Sequence, residues 1–341
     1  MDFFSKIPMN NPVYIIAEAG VNHNGRLDLA LQLCKAAKEA GVDAVKFQTW
    51  KTELIISKDT EMAEYQKENL GSNESQFDML KKLELTYDDF ITIKKYCDEI
   101  GIQFLSTADE SESLDFLCSL SIPFIKLGSG DINNIPYLRY IAQKGLPVIL
   151  STGMSTMKDV ALAYETLQEA GAKDITVLHC TTNYPCPMNE VNLNAMLTIK
   201  NALKCKVGYS DHTMGIEVPV AAVALGAEFI EKHFTLNRNM EGPDHPASLE
   251  PEELAEMVRQ IRNIEMALGN GIKEPNESER KISKVVLKSI VAKHDIKKGE
   301  KLTVNNLAIK RKGEGIDATY WDLILGTEAK KDYRIDEPIV L

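Results

Sequence analysis

The amino-acid sequence predicts an α/β protein: a closed (β/α)8, or TIM, barrel followed by a small β-rich domain. Three observations carry that expectation. Short apolar runs that end in polar residues recur eight times, about every thirty residues, and each leads into an amphipathic helical stretch. The first run continues as EAGVNHNG, without the GxGxxG phosphate turn that an open doubly wound sheet places after its first strand. Beyond residue 268 the pattern stops, and a polar stretch containing Gly and Pro, GNGIKEPNESERKIS, takes over.

The runs are VYIIAEAG (13–20), VDAVKFQ (42–48), IQFLST (102–107), PFIKLGSG (123–130), PVILST (147–152), ITVLHCTT (175–182), CKVGYSDH (205–212) and AEFIEKHF (227–234). Between them lie stretches such as LDLALQLCKAAKEAG (27–41) and LEPEELAEMVRQIRNIEMAL (249–268), with apolar residues at helical spacing. Gly41, Gly101, Gly145, Gly171 and Gly226 stand just past such stretches, where a left-handed C-cap belongs. Strands alternating with helices pair in parallel, and eight repeats close a barrel more readily than an open sheet. The connection at 49–85 is long and polar and reads as a lid or substrate loop. The expected organisation is a barrel over 1–268, a linker over 269–283 and a small domain over 284–341. In that last part the sequence predicts short strands, a turn at Lys298-Gly299 and a brief helix starting at Thr303.

Composition narrows the function classes. The 341 residues are 44% hydrophobic and 26% charged, which is ordinary for a globular protein. No apolar run approaches the roughly 20 residues of a membrane helix. The start, MDFFSKIPMNNP, has neither a basic beginning nor an apolar stretch, so no secretory signal is expected. The six cysteines form no CxxC pair and no zinc spacing, so reduced thiols and a cytoplasmic location are expected. A net charge of −11 argues against nucleic acid or an anionic membrane as partner. Residues 284–341 depart from that balance, with 12 Lys/Arg against 9 Asp/Glu, or +3.

Barrels of this kind carry catalysis at the C-terminal ends of their strands. Here those ends read Glu18, Lys46 with Gln48, Ser106-Thr107, Lys126 with Ser129, Ser151-Thr152, His179 through Tyr184, Ser210-Asp211-His212 and Glu231-Lys232-His233. Ending in solvent explains a Ser or a Thr. It explains poorly the lysines, glutamates and histidines inside or beside apolar runs, because burying charge without partners is costly. His212 and His233 end adjacent strands, and two neutral imidazoles suit an open Mn²⁺ or Mg²⁺ site better than a closed zinc site; ordinary core histidines are the alternative. Glu231 would orient a water beside that site or pair with Lys232, and His179 reads as a packed histidine. Lys126, followed by Gly128, Ser129 and Gly130, suits an anion, with Thr107, Ser129, Ser151 and Ser210 as hydroxyl donors. Lys126 or Lys46 as a Schiff-base nucleophile is the rival reading. Glu18 reads as a base or water-orienting group. Asp244, in MEGPDHPAS, would bind sugar hydroxyls or cap a helix.

The motifs IAEAGVNHNG (16–25), DAVKFQT (43–49), KLGSGD (126–131), ILSTGM (149–154), LHCTTNYP (178–185), GYSDHT (208–213), IEKHFT (230–235) and GPDHPAS (242–248) resemble the bacterial sialic acid synthases, including their legionaminic and pseudaminic acid relatives. The tail, with KSIVAKHDIKKGE and IKRKGEGI, resembles the antifreeze-like (SAF) domain of that family. The resemblance implies a homodimer with swapped tails, each capping the partner's barrel. It implies condensation of phosphoenolpyruvate with an open-chain N-acylated mannosamine-type sugar, with phosphate released by C–O cleavage. N-acetylmannosamine, giving N-acetylneuraminate, is the first choice of sugar. A 2,4-diacetamido-2,4,6-trideoxymannose, giving N,N'-diacetyllegionaminate, is the alternative. By position His212 and His233 resemble the metal ligands, and Lys126, Thr107, Ser129, Ser151 and Ser210, with Lys46 nearby, the phosphoenolpyruvate contacts. Gln48, Tyr184 and Asp244 resemble sugar contacts, and Glu18 the acid/base. Arg311 resembles an arginine that the tail donates to the partner's sugar site. This chain departs from the family pattern at Asp109, where an aromatic is usual, and at Asp131, Asn183 and Lys312. A Schiff-base aldolase and a non-catalytic carbohydrate- or ice-binding protein are the rival classes.

Overall fold

Each of the eight apolar runs is a strand in the computed structural model, which describes residues 12–71, 74–311 and 313–340. They are β1 (Tyr14–Gly20), β2 (Ala44–Thr49), β3 (Gln103–Ala108), β4 (Ile125–Leu127), β5 (Val148–Ser151), β6 (Ile175–Cys180), β7 (Lys206–Asp211) and β8 (Phe229–His233). Every strand pairs in parallel with the next, and β1 pairs with β8, closing the barrel. The fourth run yields only three strand residues, because the chain turns into a 3₁₀ helix at Ser129–Asp131. Helices such as Leu27–Ala40 and Tyr87–Ile100 pack outside through Leu33, Ala37, Ile93 and Cys97. Both of these helices end on a left-handed glycine, Gly41 at φ +83° and Gly101 at φ +72°.

The strand pleat sends alternate residues inward. Ile16, Ala44, Leu105, Phe124, Ile149, Leu178 and Phe229 form an apolar floor. Two residues further along the strands stand Glu18, Lys46, Thr107, Lys126, Ser151, Cys180 and Glu231. Gly208 is the floor position of β7, and a Cβ there would lie 2.5 Å from the Phe229 carbonyl oxygen and 2.6 Å from Leu178. The missing side chain leaves room for Phe229, whose ring meets Tyr14 at 5.5 Å and Phe124 at 6.2 Å between centroids.

The 49–85 connection is folded, not an open polar loop. It holds short helices at Thr52–Ile55, Glu64–Leu70 and Gln76–Leu83. Trp50, Met62, Met79 and Leu83 join Val21 in a separate apolar cluster. The Asn69 side-chain amide donates to the Pro243 carbonyl at 2.6 Å, tying this excursion to the turn after β8.

The chain divides into two compact units between Gly269 and Asn270. In the second, a helix at Glu277–Val286 occupies part of the stretch expected as linker, its start fixed by a capping box between Asn276 and Glu279. Strands β9 (Lys288–Ala292) and β10 (Leu307–Arg311) pair antiparallel over a core that includes Ile290, Ile296, Leu302, Ile324 and Tyr333. The turn at Lys298-Gly299 is present, with the Glu300 N–H donating to Lys297 at 3.0 Å. At Thr303 the expected helix is a turn instead. The Asn306 side chain accepts from the Thr303 N–H at 2.7 Å and closes the loop before a helix propagates. Lys312 and the first eleven residues lie outside the described residues. Among those described, no helix is long and apolar enough to cross a membrane.

Candidate active site

The pleat decides which strand-end residues meet. Glu18, Lys46, Thr107, Lys126, Ser151, Ser210 and Glu231 are buried within the barrel and touch one another. Lys46 Nζ lies 2.7 Å from Glu18 and donates to Thr107 Oγ1 at 2.9 Å. Gln48 Nε2 donates to Glu18 at 3.0 Å. Lys126 Nζ donates to Ser151 Oγ at 2.8 Å and stands 3.4 Å from Glu231. Ser210 Oγ donates to Glu231 at 3.1 Å, and Lys46 is 3.8 Å from the other Glu231 oxygen. Ser129 Oγ accepts from the Gly153 N–H at 2.9 Å and meets Cys180 Sγ at 3.3 Å.

The intervening residues face the helix layer and do not join the mouth. Ser106 bonds Thr49 at 2.7 Å. Lys232 pairs with Asp211 at 2.5 Å, so the expected Glu231–Lys232 alternative is excluded by opposite facing. His179 reaches the Val191 carbonyl at 2.9 Å as a packed histidine. His245 is likewise held by Thr235 at 2.6 Å and Asn24 at 3.1 Å.

Burial and neighbouring charge set the titration of this belt. Burial raises the Glu18 carboxyl to about 7, against the pull of Lys46. For Lys46, burial lowers the ammonium, but Glu18 and Glu231 outweigh it and the net shift is upward. Burial dominates at Lys126 and lowers it despite Glu231. Glu231 goes the other way: burial raises it, and Lys126 with Lys46 more than reverse that. Glu231 is therefore the hub of the belt, a role the sequence reading missed; its signal was the shared inward register of Phe229, Glu231 and His233.

At the rim, His212 and His233 lie with ring centroids 5.3 Å apart. His212 Nδ1 donates to the Thr181 carbonyl at 2.6 Å, which leaves Nε2 with its lone pair. Burial lowers both imidazoles, His233 well below its ordinary value with the help of His212, so both are neutral near pH 7. The Tyr184 ring packs against His212 at 4.1 Å and His233 at 5.4 Å. Asp244 Oδ2 stands 3.7 Å from His233 Nδ1, and burial raises its carboxyl to about 6. It precedes a 3₁₀ turn without capping it, so the capping alternative does not hold. No three His, Cys, Asp or Glu residues among the described ones are placed to hold a metal together. Two neutral imidazoles fit an open site that leaves positions for oxygen donors. Arg311 ends β10 in the second unit and is exposed.

The profile of the NeuB family matches residues 33–273, and that of the SAF domain matches 288–341. The chain belongs to the NeuB family. Its relatives in that family include the N,N'-diacetyllegionaminic acid synthase of Campylobacter jejuni, 50% identical over 95% of this chain and 98% of that protein. The human N-acetylneuraminate-9-phosphate synthase is 38% identical over 88% of this chain and 83% of its own length. Among solved structures, the N-acetylneuraminic acid synthetase of Leptospira borgpetersenii, in complex with citrate, aligns with a TM-score of 0.70 at 36% identity. The alignment covers 80% of this chain and 90% of that one. The belt and imidazole pair of this NeuB-family chain all lie within the matched barrel, apart from Glu18 on β1.

Proposed function

We propose that this enzyme is a transferase that condenses phosphoenolpyruvate with an N-acylated mannosamine-type sugar to make a nonulosonic acid. One observation carries the reading: a buried belt of Glu18, Lys46, Glu231 and Lys126 stands directly beneath a neutral imidazole pair at the C-terminal face of a closed barrel. C3 of phosphoenolpyruvate attacks the sugar aldehyde, water adds at C2, and phosphate departs with the C2 oxygen. Lys126, Thr107, Ser129, Ser151 and Ser210 bind the anion. Gln48, Tyr184 and Asp244 contact the sugar, and Glu18 serves as the acid/base. His212 and His233 would hold Mn²⁺ or Mg²⁺, which when bound supplies Lewis-acid polarisation of the aldehyde.

N-acetylmannosamine is the first acceptor to test. The 50% identity to a legionaminic acid synthase favours 2,4-diacetamido-2,4,6-trideoxymannose as the second reading. Both sugars are assayed with phosphoenolpyruvate and Mn²⁺, following phosphate release and the mass of the acid formed. ¹⁸O in the bridging position of phosphoenolpyruvate must end in phosphate. Full activity in chelator together with borohydride trapping on Lys46 or Lys126 would establish the aldolase instead.

The proposal includes a homodimer with swapped tails. The helix Glu277–Val286 has no buried residue, and it exposes Ile282, Val285 and Val286 for cover by a second copy. Mixing inactive Arg311→Ala and His212→Ala chains should restore about a quarter of the sites if Arg311 crosses between copies. No recovery after co-refolding would refute the swap.

A further inference from the structure

We propose that Asp109 is the specificity-determining residue for the acceptor sugar, accepting a hydrogen bond from an uncharged sugar and excluding a phosphorylated one. This rests on the synthase reading above. Asp109 follows β3 and extends its ladder, with its N–H donating to Thr49 at 3.3 Å. The pleat gives it the inward side shared by Leu105 in the floor and Thr107 against Lys46. Its backbone is pinned: the Tyr137 hydroxyl donates to the Ala108 carbonyl at 2.8 Å and contacts that of Glu110 at 3.3 Å. Just past the strand, in a bend, the Asp109 carboxyl stands close enough to the mouth to feel the charges of Lys46 and Glu18.

Three acidic residues stand at the ends of β3 and β4, and they are used differently. Glu110 turns away to accept from the Ser113 N–H at 3.0 Å and caps the following helix. Asp131 accepts from the Asn134 amide at 3.0 Å. The Asp109 side chain has no hydrogen-bond or ion-pair partner among the described residues. It is raised to about 7, by burial first and then by the Asp131 carboxylate, with Lys46 opposing. The half-buried carboxyl keeps its oxygens open, so a ligand's donor can take the place of solvent there. A sugar hydroxyl or amide N–H does so. Above pH 7, where Asp109 is mostly ionised, a phosphate brings two further negative charges to Asp109 and Asp131 and is repelled. The human relative is named for a 9-phosphate product. Because phosphoenolpyruvate adds three carbons, such a phosphate sits on C6 of the acceptor, so the discrimination bears on a real alternative within the family.

The test compares kcat/KM for N-acetylmannosamine and its 6-phosphate at pH 8, where a carboxyl titrating at about 7 is about nine-tenths ionised, with KM for phosphoenolpyruvate measured alongside, in wild type, Asp109→Asn and Asp109→Ala. The wild type should favour the uncharged sugar. Asn keeps an acceptor oxygen and loses the charge, so the preference should shift toward the 6-phosphate by about ten-fold. Ala should also raise KM for the uncharged sugar about ten-fold, and neither variant should move KM for phosphoenolpyruvate more than about two-fold. Turnover with an unchanged sugar ratio, or a shift confined to phosphoenolpyruvate, overturns the assignment of Asp109 while leaving the synthase reading intact. No turnover of any amino-sugar by the wild type overturns both.

Discussion

Asp211 and Lys232 each precede one histidine of the imidazole pair, and they oppose each other directly on β7 and β8. Both side chains are 0% exposed, on the face turned away from the mouth. Lys232 Nζ also donates to the Thr213 carbonyl at 2.5 Å, and Thr213 donates its N–H and hydroxyl to Asp211 at 3.1 and 2.9 Å. Replacing Lys232 by Met leaves the Asp211 carboxylate buried with those two donors and no cation. Breaking a buried ion pair costs about 3–5 kcal/mol, and the remaining Thr213 bonds place this case near the lower end. In a unit of this size that lowers Tm by roughly 6–12 °C. The double variant Asp211→Leu/Lys232→Met removes both charges, and apolar replacement of a buried pair is about neutral. Thermal and urea unfolding of all four members of the cycle, followed by far-UV circular dichroism, gives the coupling. A coupling within about 0.5 kcal/mol of zero would refute the clamp. The single variant should also bind Mn²⁺ about ten-fold more weakly, since the strand ends that space the histidines lose their tie.

Three further outcomes are expected. Burial lowers His245 to about 4, below the ordinary 6.5. The unfolded chain binds the extra proton between those values, so this contribution is present above pH 6.5 and lost as pH falls toward 4, by up to about 3 kcal/mol. His245→Asn should flatten the stability profile in that window, and an unchanged slope in urea midpoints would exclude the cause. Gly208→Ala should cost about 1–3 kcal/mol, because its Cβ meets Phe229 backbone that cannot yield; an unchanged urea midpoint would contradict this. Lys126→Met should raise KM for phosphoenolpyruvate by roughly 10- to 100-fold, whereas Lys46→Met should mainly lower kcat; equal effects on KM in steady-state kinetics would count against the division.

The barrel was legible because eight repeats of one physical pattern leave few alternatives. What failed was local. Ser106, Asp211 and Lys232 are polar strand-end residues like their neighbours, and only the period-two pleat separates those facing the mouth from those facing the helices. Glu231 as hub was hidden for another reason: its contacts with Lys126 and Lys46 cross the barrel from β8 to β4 and β2, and strand stagger decides them. In the 49–85 connection, Trp50, Met62, Met79 and Leu83 are spaced too irregularly to show a period, yet they fold together. Thr303 looked like a helix start because a Thr before an Asn three residues on satisfies both an N-cap and a closed turn.

The two inward lysines are not equivalent in their contacts. Lys46 is committed, with Glu18 at 2.7 Å and Thr107 at 2.9 Å. Lys126 has one short bond, to Ser151 at 2.8 Å; its carboxylate partner Glu231 is 3.4 Å away, beyond the 2.7–2.9 Å of a strong charged pair. An ammonium has three donors, so Lys126 retains capacity for an anion without breaking a tight contact. Burial also lowers the Lys126 ammonium, and an arriving dianion would oppose that shift. Lys46 acts on Glu18, countering the burial that raises its carboxyl. Glu231, kept ionised by both lysines, lets two ammonium groups share the interior of a barrel before any substrate enters. An anion binding at Lys126 therefore changes the charge balance felt by Glu231 and, through Lys46, by Glu18. In the proposed reaction the first substrate would thus help set the protonation of the acid/base that acts on the second.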